Sequence, residues 1–157
     1  MAVIDLLELP AATPAYTPLV GLDLGEKTIG VAVSDVTRTV ASPLDLIRKT
    51  KFTEDARALF KLMESRGATG LVIGLPVNMD GTEGPRCQSS RAFARNVLRL
   101  KDIPIAFWDE RMSSMAINRM LIDEADMNRA RRAEVVDKAA AGWILQGALD
   151  RLQALPK

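Results

Sequence analysis

The chain has 157 residues, 48% of them hydrophobic, which is material for one compact domain with a core and too little for two. Its 21 basic and 20 acidic residues leave a formal net charge of +1, so a polyanionic partner must be held by a local basic patch and not by a global field. Histidine is absent and Cys87 is the one cysteine, which excludes Ser-His-Asp and Cys-His nucleophiles and an intramolecular disulfide, and argues against a His/Cys zinc site. For an enzyme, carboxylates and a hard metal ion are what remain.

Residues 1–18 carry Pro10, Pro14 and Pro18 without sustained periodicity and read as a mobile tail. The acids Asp5 and Glu8 do not suit the positive start of a signal peptide, and no apolar run approaches the roughly 18 residues of a membrane span. A cytoplasmic protein without a membrane partner is the expectation. The folded domain is expected over 19–152, with a short tail over 153–157.

Leu19–Leu24 and Ile29–Ser34 are β-rich runs separated by "GEKT", a hairpin-like connection, and a third short strand is expected near Thr39–Pro43. Phe52, Ala56, Leu59, Phe60 and Met63 recur at helical spacing, with Thr53 as candidate cap and Gly67 past the end. "GLVIGLP" (Gly70–Pro76) is a continuous apolar run, as in a strand buried on both faces, and the polar loop "VNMDGTEGP" follows it. A helix over about Cys87–Leu100, a strand over Ile103–Trp108, and helices over about Ser113–Asp123 and Arg131–Leu152 complete the order β-β-β-α-β-α-β-α-α. That order predicts an α/β fold with a mixed sheet and helices on both faces.

Three carboxylates do not fit their places. Asp23 lies between Leu22 and Leu24 in the strand expected to be central, where an unpaired ionised carboxylate costs several kcal/mol. It would be satisfied by capping a turn or by backbone donors of "GEKTIG". "WDER" puts Asp109, Glu110 and Arg111 at the end of a strand, where ligands bind in open α/β sheets, although acids leading a helix account for the same residues. Asp137 stands at the edge of the apolar stripe Ala140, Ala141, Ile144 and Ala148, or serves as a first-turn acid favoured by the helix dipole. Converging carboxylates repel, and Mg²⁺ or Mn²⁺ resolves the repulsion with oxygen ligands and room for substrate phosphate.

"GLDLGEKTIGVAVSD", "VIGLPVNMDGTEGP", "DERMSS" and "VDKAAAGWILQ" together resemble the YqgF (RuvX-like) family of bacterial pre-16S rRNA nucleases, relatives of Holliday-junction resolvases. The resemblance runs from Leu19 to Leu152 and implies a ribonuclease H-like fold with a five-stranded mixed sheet. It implies a metal-dependent endonuclease whose acidic set falls on Asp23, Glu110 and Asp137, with water activated between the metal and these groups. Asp109 is the alternative to Glu110, because adjacent residues at a strand end point opposite ways. Lys27, the Asn78–Gly81 loop and Arg111 fall on the family's other polar positions. The implied substrates are structured RNA, branched DNA or both, and the implied assembly is a monomer or a homodimer.

Arg91, Arg95 and Arg99 recur every four residues, flanked by Arg86 and Lys101, and no acid lies between Arg86 and Lys101. This is a solvated helix face or a ridge that tracks phosphates. "RARR", with Arg129, Arg131 and Arg132, precedes Asp137 and is placed to steer a strand toward it. With seven aromatics in the chain, base stacking is not expected to dominate recognition. Two other functions fit parts of the pattern: an ATPase of the actin and sugar-kinase type, which needs a second such domain, and a non-catalytic RNA-binding ribosome-assembly factor on the same fold.

Overall fold

In the computed structural model residues 3–112 and 129–154 are described, and over 129–138 the course of the backbone alone. The expected helix near Ser113–Asp123 lies outside the described residues. Strands β1 (Leu19–Leu24), β2 (Thr28–Ser34), β3 (Ala41–Arg48), β4 (Gly70–Leu75) and β5 (Ile105–Asp109) form one sheet in the order β3-β2-β1-β4-β5. β1 pairs antiparallel with β2 and β2 with β3, whereas β1, β4 and β5 run parallel. The helices are α1 (Leu9–Ala12), α2 (Phe52–Arg66), α3 (Pro85–Leu100) and α4 (Arg129–Gln153). The mixed five-stranded sheet expected from the sequence is therefore present.

Strand alternation sends Val20, Leu22, Ile29, Val31, Leu71, Ile73 and Ile105 to one face, where they pack with Leu59, Met63, Phe93, Ala94 and Val97 of α2 and α3. The opposite face presents Ala32, Val72, Ala106 and Trp108 to Ala140, Ala141, Ile144, Leu145, Ala148 and Leu149 of α4. Two glycines let α4 settle close to the sheet. A Cβ on Gly21 would lie 2.6 Å from Leu145 Cβ, and one on Gly74 would collide with Ile144.

β3 is longer and later than expected. It pairs along all of β2, from Ser34↔Ala41 to Thr28↔Arg48, and a bulge between Val31 and Ala32 takes up Leu44 as an extra residue beside Pro43. Its outer edge is blunted: Pro43 has no N–H, and the Leu46 N–H is turned to the Asp45 carboxylate at 2.7 Å. In α2, Thr53 is not the cap. The helix begins at Phe52 with Lys51 before it, and buried Asp55 reaches back to accept the Thr50 N–H at 3.0 Å. Gly67 ends the helix as expected, in the left-handed region that suits glycine. α3 starts two residues early, at Pro85, whose missing N–H costs nothing in a first turn. β5 starts at Ile105 instead of Ile103 and extends to Asp109.

The segment read as a mobile tail is docked. Ile4 N–H donates to Ile105 O at 2.9 Å, on the open edge of β5, and Leu9 is fully buried in the cluster beneath α4. Pro10 sits in the first turn of α1 instead of marking disorder. Arg38 then staples the segment: its guanidinium donates to Thr17 O (2.8 Å), Thr13 Oγ1 (2.8 Å) and Pro14 O (3.0 Å). The apolar residues Ile4, Leu6 and Leu9 lack helical spacing because they cover a sheet edge and a helix side, and need no single period. No described helix is long and apolar enough to cross a membrane.

Leu9→Ala is expected to lower unfolding free energy by about 2–5 kcal/mol, read as a shift of the urea midpoint with unchanged slope. An unshifted midpoint would mean that the segment does not contribute to the core.

Candidate active site at the C-terminal ends of the parallel strands

Because β1, β4 and β5 are parallel, their C-terminal ends lie along one edge of the sheet. Asp23 is the penultimate residue of β1, opposite Gly30 of β2, and only 4% exposed. Gly21, two residues earlier, faces α4, so alternation turns Asp23 to the α4 face and Leu22 to the other. The register Leu22↔Ile73 continues to put Gly74 level with Asp23 on the neighbouring strand, about 4.8 Å away. A Cβ on Gly74 would lie 3.3 Å from Glu110 Oε2. Asp23 and Glu110 thus stand over adjacent strands on one face, and the missing side chain of Gly74 leaves its place to Ile144, with the Glu110 carboxylate alongside.

Asp109 is engaged elsewhere. Its carboxylate accepts the Arg111 N–H at 2.9 Å and the Arg111 guanidinium at 2.7 Å, and the guanidinium bond holds its pKa below the usual carboxylate range. Asp137 lies in α4, one turn before Ala141, whose carbonyl is 3.2 Å from the Cβ position of Gly21. Its side chain lies outside the described residues, as do those of Arg129, Arg131 and Arg132 at the start of α4. Among the described residues no three acidic, cysteine or histidine side chains form a metal-binding group. The donor set on this face is a pair of carboxylates, all oxygen, which fits a hard divalent cation that retains water and takes further ligands from a third acid or a phosphate.

The polar residues around this edge have mixed fates. Lys27 is exposed in the β1–β2 turn. Asn78 is part of a loop that bonds to itself: its N–H donates to Thr82 O (2.9 Å) and its Nδ2 to Thr82 Oγ1 (3.0 Å). The Thr82 hydroxyl bonds to Asp80 at 2.6 Å and lowers the Asp80 pKa, with the Arg111 charge adding to the effect. Gly81 turns the loop at φ 90°, beside the Arg111 guanidinium.

The stripe on α3 is not one ridge. Arg86 donates to Leu24 O at 3.2 Å and so sits at the site. Arg91 makes a two-pronged ion pair with Glu83, at 2.7 and 2.8 Å, and stacks over Phe107. Glu83 precedes the acid-free window in the sequence, and the loop folds it back. Arg95 and Arg99 are exposed, but α3 descends from the C-terminal to the N-terminal ends of the strands, about 20 Å from Arg86 to Arg99. The structure does not bring them to the carboxylates. Lys49, unmarked in the sequence, does reach the edge: its Nζ donates to Gly25 O at 3.0 Å. The only available signal was the true end of β3, which the sequence placed too early.

Asp109→Asn tests the strand-end ion pair. A depressed folded pKa gives stability that is present above the ordinary value of about 3.9 and is lost as pH falls through the lower folded value. The variant is expected to lose at most about 1 kcal/mol at neutral pH and to show a flatter acid limb in urea unfolding. An unchanged acid limb would show that the pair adds nothing.

Comparison with known proteins adds a history to this geometry. A family profile described as "RuvX: Holliday junction resolvase" matches residues 17–151. A protein of Phenylobacterium zucineum named "Putative pre-16S rRNA nuclease" is 80% identical over 156 residues, covering 99% of this chain and 100% of its own. One of Caulobacter vibrioides with the same name is 69% identical over the same shares. Among solved structures, Thermus thermophilus RuvC in complex with a Holliday junction substrate superposes with a TM-score of 0.52 at 8% identity, over 88% of this chain and 96% of that one. This likeness bears on the fold alone, which is the expected ribonuclease H-like α/β fold. By the family match and by identity along nearly its whole length, the chain belongs to the RuvX (YqgF) family.

Proposed function

We propose that the chain is a divalent-metal-dependent endonuclease that hydrolyses phosphodiester bonds in structured nucleic acid in the cytoplasm, with 5′-end processing of precursor 16S rRNA as its principal role and branched DNA as a second substrate class. The supporting observation is buried Asp23 on β1, level with Gly74 of β4, whose Cβ position lies 3.3 Å from Glu110 Oε2. Family membership supports a nuclease, and the chemistry of the donor pair supports the metal.

Asp23 and Glu110 would hold Mg²⁺ or Mn²⁺, with Asp137 as the third acid from α4. Such an ion, when bound, neutralises the facing carboxylates, polarises the phosphoryl oxygen and lowers the pKa of water at the site, which a chain without histidine cannot do with an imidazole base. The protein's own work is positioning. Burial of Asp23 limits competing water. The self-bonded Asn78–Thr82 loop and the Asp109–Arg111 pair form a stiff rim. Lys27 and Arg86 offer positive charge to the incoming backbone.

Asp23→Asn and Glu110→Gln are each expected to abolish cleavage of labelled structured RNA and of a four-way DNA junction in Mn²⁺ or Mg²⁺, with EDTA abolishing it in the wild type. Stability should hold or rise, since a repelling charge is removed. Mn²⁺ should raise the melting temperature of the wild type and not of Asp23→Asn. Binding without cutting under every metal condition would replace the nuclease with a non-catalytic assembly factor.

A further inference from the structure

Two cations converge on the backbone that directly follows Asp23. Lys49, one residue past β3, donates its N–H to Lys27 O (2.9 Å) and its Nζ to Gly25 O (3.0 Å). Arg86, in the first turn of α3, donates to Leu24 O (3.2 Å). The turn that receives them is fixed: Gly25 N–H donates to Thr28 O at 2.8 Å, and a Cβ on Gly25 would come within 2.9 Å of that oxygen. Both cations are exposed, and among the described residues neither has a carboxylate partner. In this they differ from Arg91, Arg111 and Lys101, which face Glu83, Asp109 and Glu64.

A carbonyl oxygen holds a cation in place without cancelling its charge. An ammonium has three donors and a guanidinium five, so each keeps donors in reserve after one bond to the turn. A phosphate within reach would form charge-assisted bonds roughly twice as strong as those to a neutral acceptor. We infer that Lys49 and Arg86 are the two prongs of a clamp for backbone phosphates adjoining the phosphodiester at Asp23. The clamp grips nucleic acid without regard to base sequence. The inference rests on the nuclease reading above and adds to it the residues that set the register of the strand. Because the anchoring carbonyls belong to the two residues after Asp23, clamp and carboxylate ride on one rigid piece of backbone. Lys49 and Arg86 are therefore positioning residues.

The test is equilibrium binding of the full chain to a labelled RNA hairpin and to a labelled four-way DNA junction, in EDTA, across a KCl series. For the wild type, log K should fall linearly with log salt. Lys49→Ala and Arg86→Ala should each reduce that slope by about one, and the double variant by about two, with equal losses on unrelated sequences. Lys49→Arg should restore the slope. In cleavage assays the alanine variants should raise KM more than they lower kcat, and their melting temperatures should match the wild type. A slope change in either arm supports the clamp, and the arm that shows it identifies the nucleic acid gripped. Salt-dependent binding by the wild type with unchanged slopes in the variants would overturn the clamp and leave the nuclease reading standing. Slopes lost together with melting temperature and not restored by Lys49→Arg would reduce both residues to braces of the hairpin and overturn it as well. Absence of salt-dependent binding by the wild type would overturn both.

Discussion

The close seating of α4 on the sheet is the constraint on which the rest of the molecule depends. Ile144 and Leu145 lie where side chains at positions 74 and 21 would otherwise be, so the helix and the strands are separated by little more than backbone and methyl groups. This contact is apolar from Leu9 and Leu149 up to Ile144, and it gives way to carboxylates at the strand ends. Two jobs are thereby assigned to one glycine: Gly74 admits Ile144 on one side and leaves room for Glu110 on the other. A larger residue at 74 would push Ile144 and its helix away and crowd Glu110 in the same stroke.

The opposite face is built on different terms. There α2 and α3 pack large aliphatic and aromatic side chains against β-branched residues, including the edge-on pair Phe52 and Phe93, and no glycine is needed. Bulk on one face and near-contact on the other give the sheet a thick side and a thin side that carries the carboxylates. That asymmetry explains why an ionisable residue is tolerated in the middle strand: Asp23 emerges where the thin side ends, close to the exit of the strands.

Period and composition made most of this legible. The two-residue alternation of β1 and β2, the continuous apolar run of β4 and the stripe on α4 were readable because each buries a regular face. Asp23 stood out because a charge interrupts one of those patterns. What escaped was set by tertiary contact. The N-terminal residues cover an edge whose existence cannot be known until β5 is placed, and their prolines mimic a linker. The extent of β3 was hidden because an edge strand with Pro43 and Asp45 looks like a loop. The neutralisation of Arg91 depended on a loop folding Glu83 back by two helical turns. Asp109 and Glu110 leave β5 with different neighbours, Arg111 for the first and the Gly74 position for the second, a difference that residue spacing alone does not reveal.

The edges of the sheet carry a further consequence. At β5 the outer side is met at Ile105 by the N–H of the chain's own Ile4, and at β3 a proline and a self-bonded amide interrupt the row of donors. Strand-by-strand addition of a second copy finds a poor template at either side among the described residues. Among the described residues, a two-fold pair of these molecules would therefore meet through helices and loops. Self-association would then be tuned by surface substitutions without touching the sheet that holds the carboxylates.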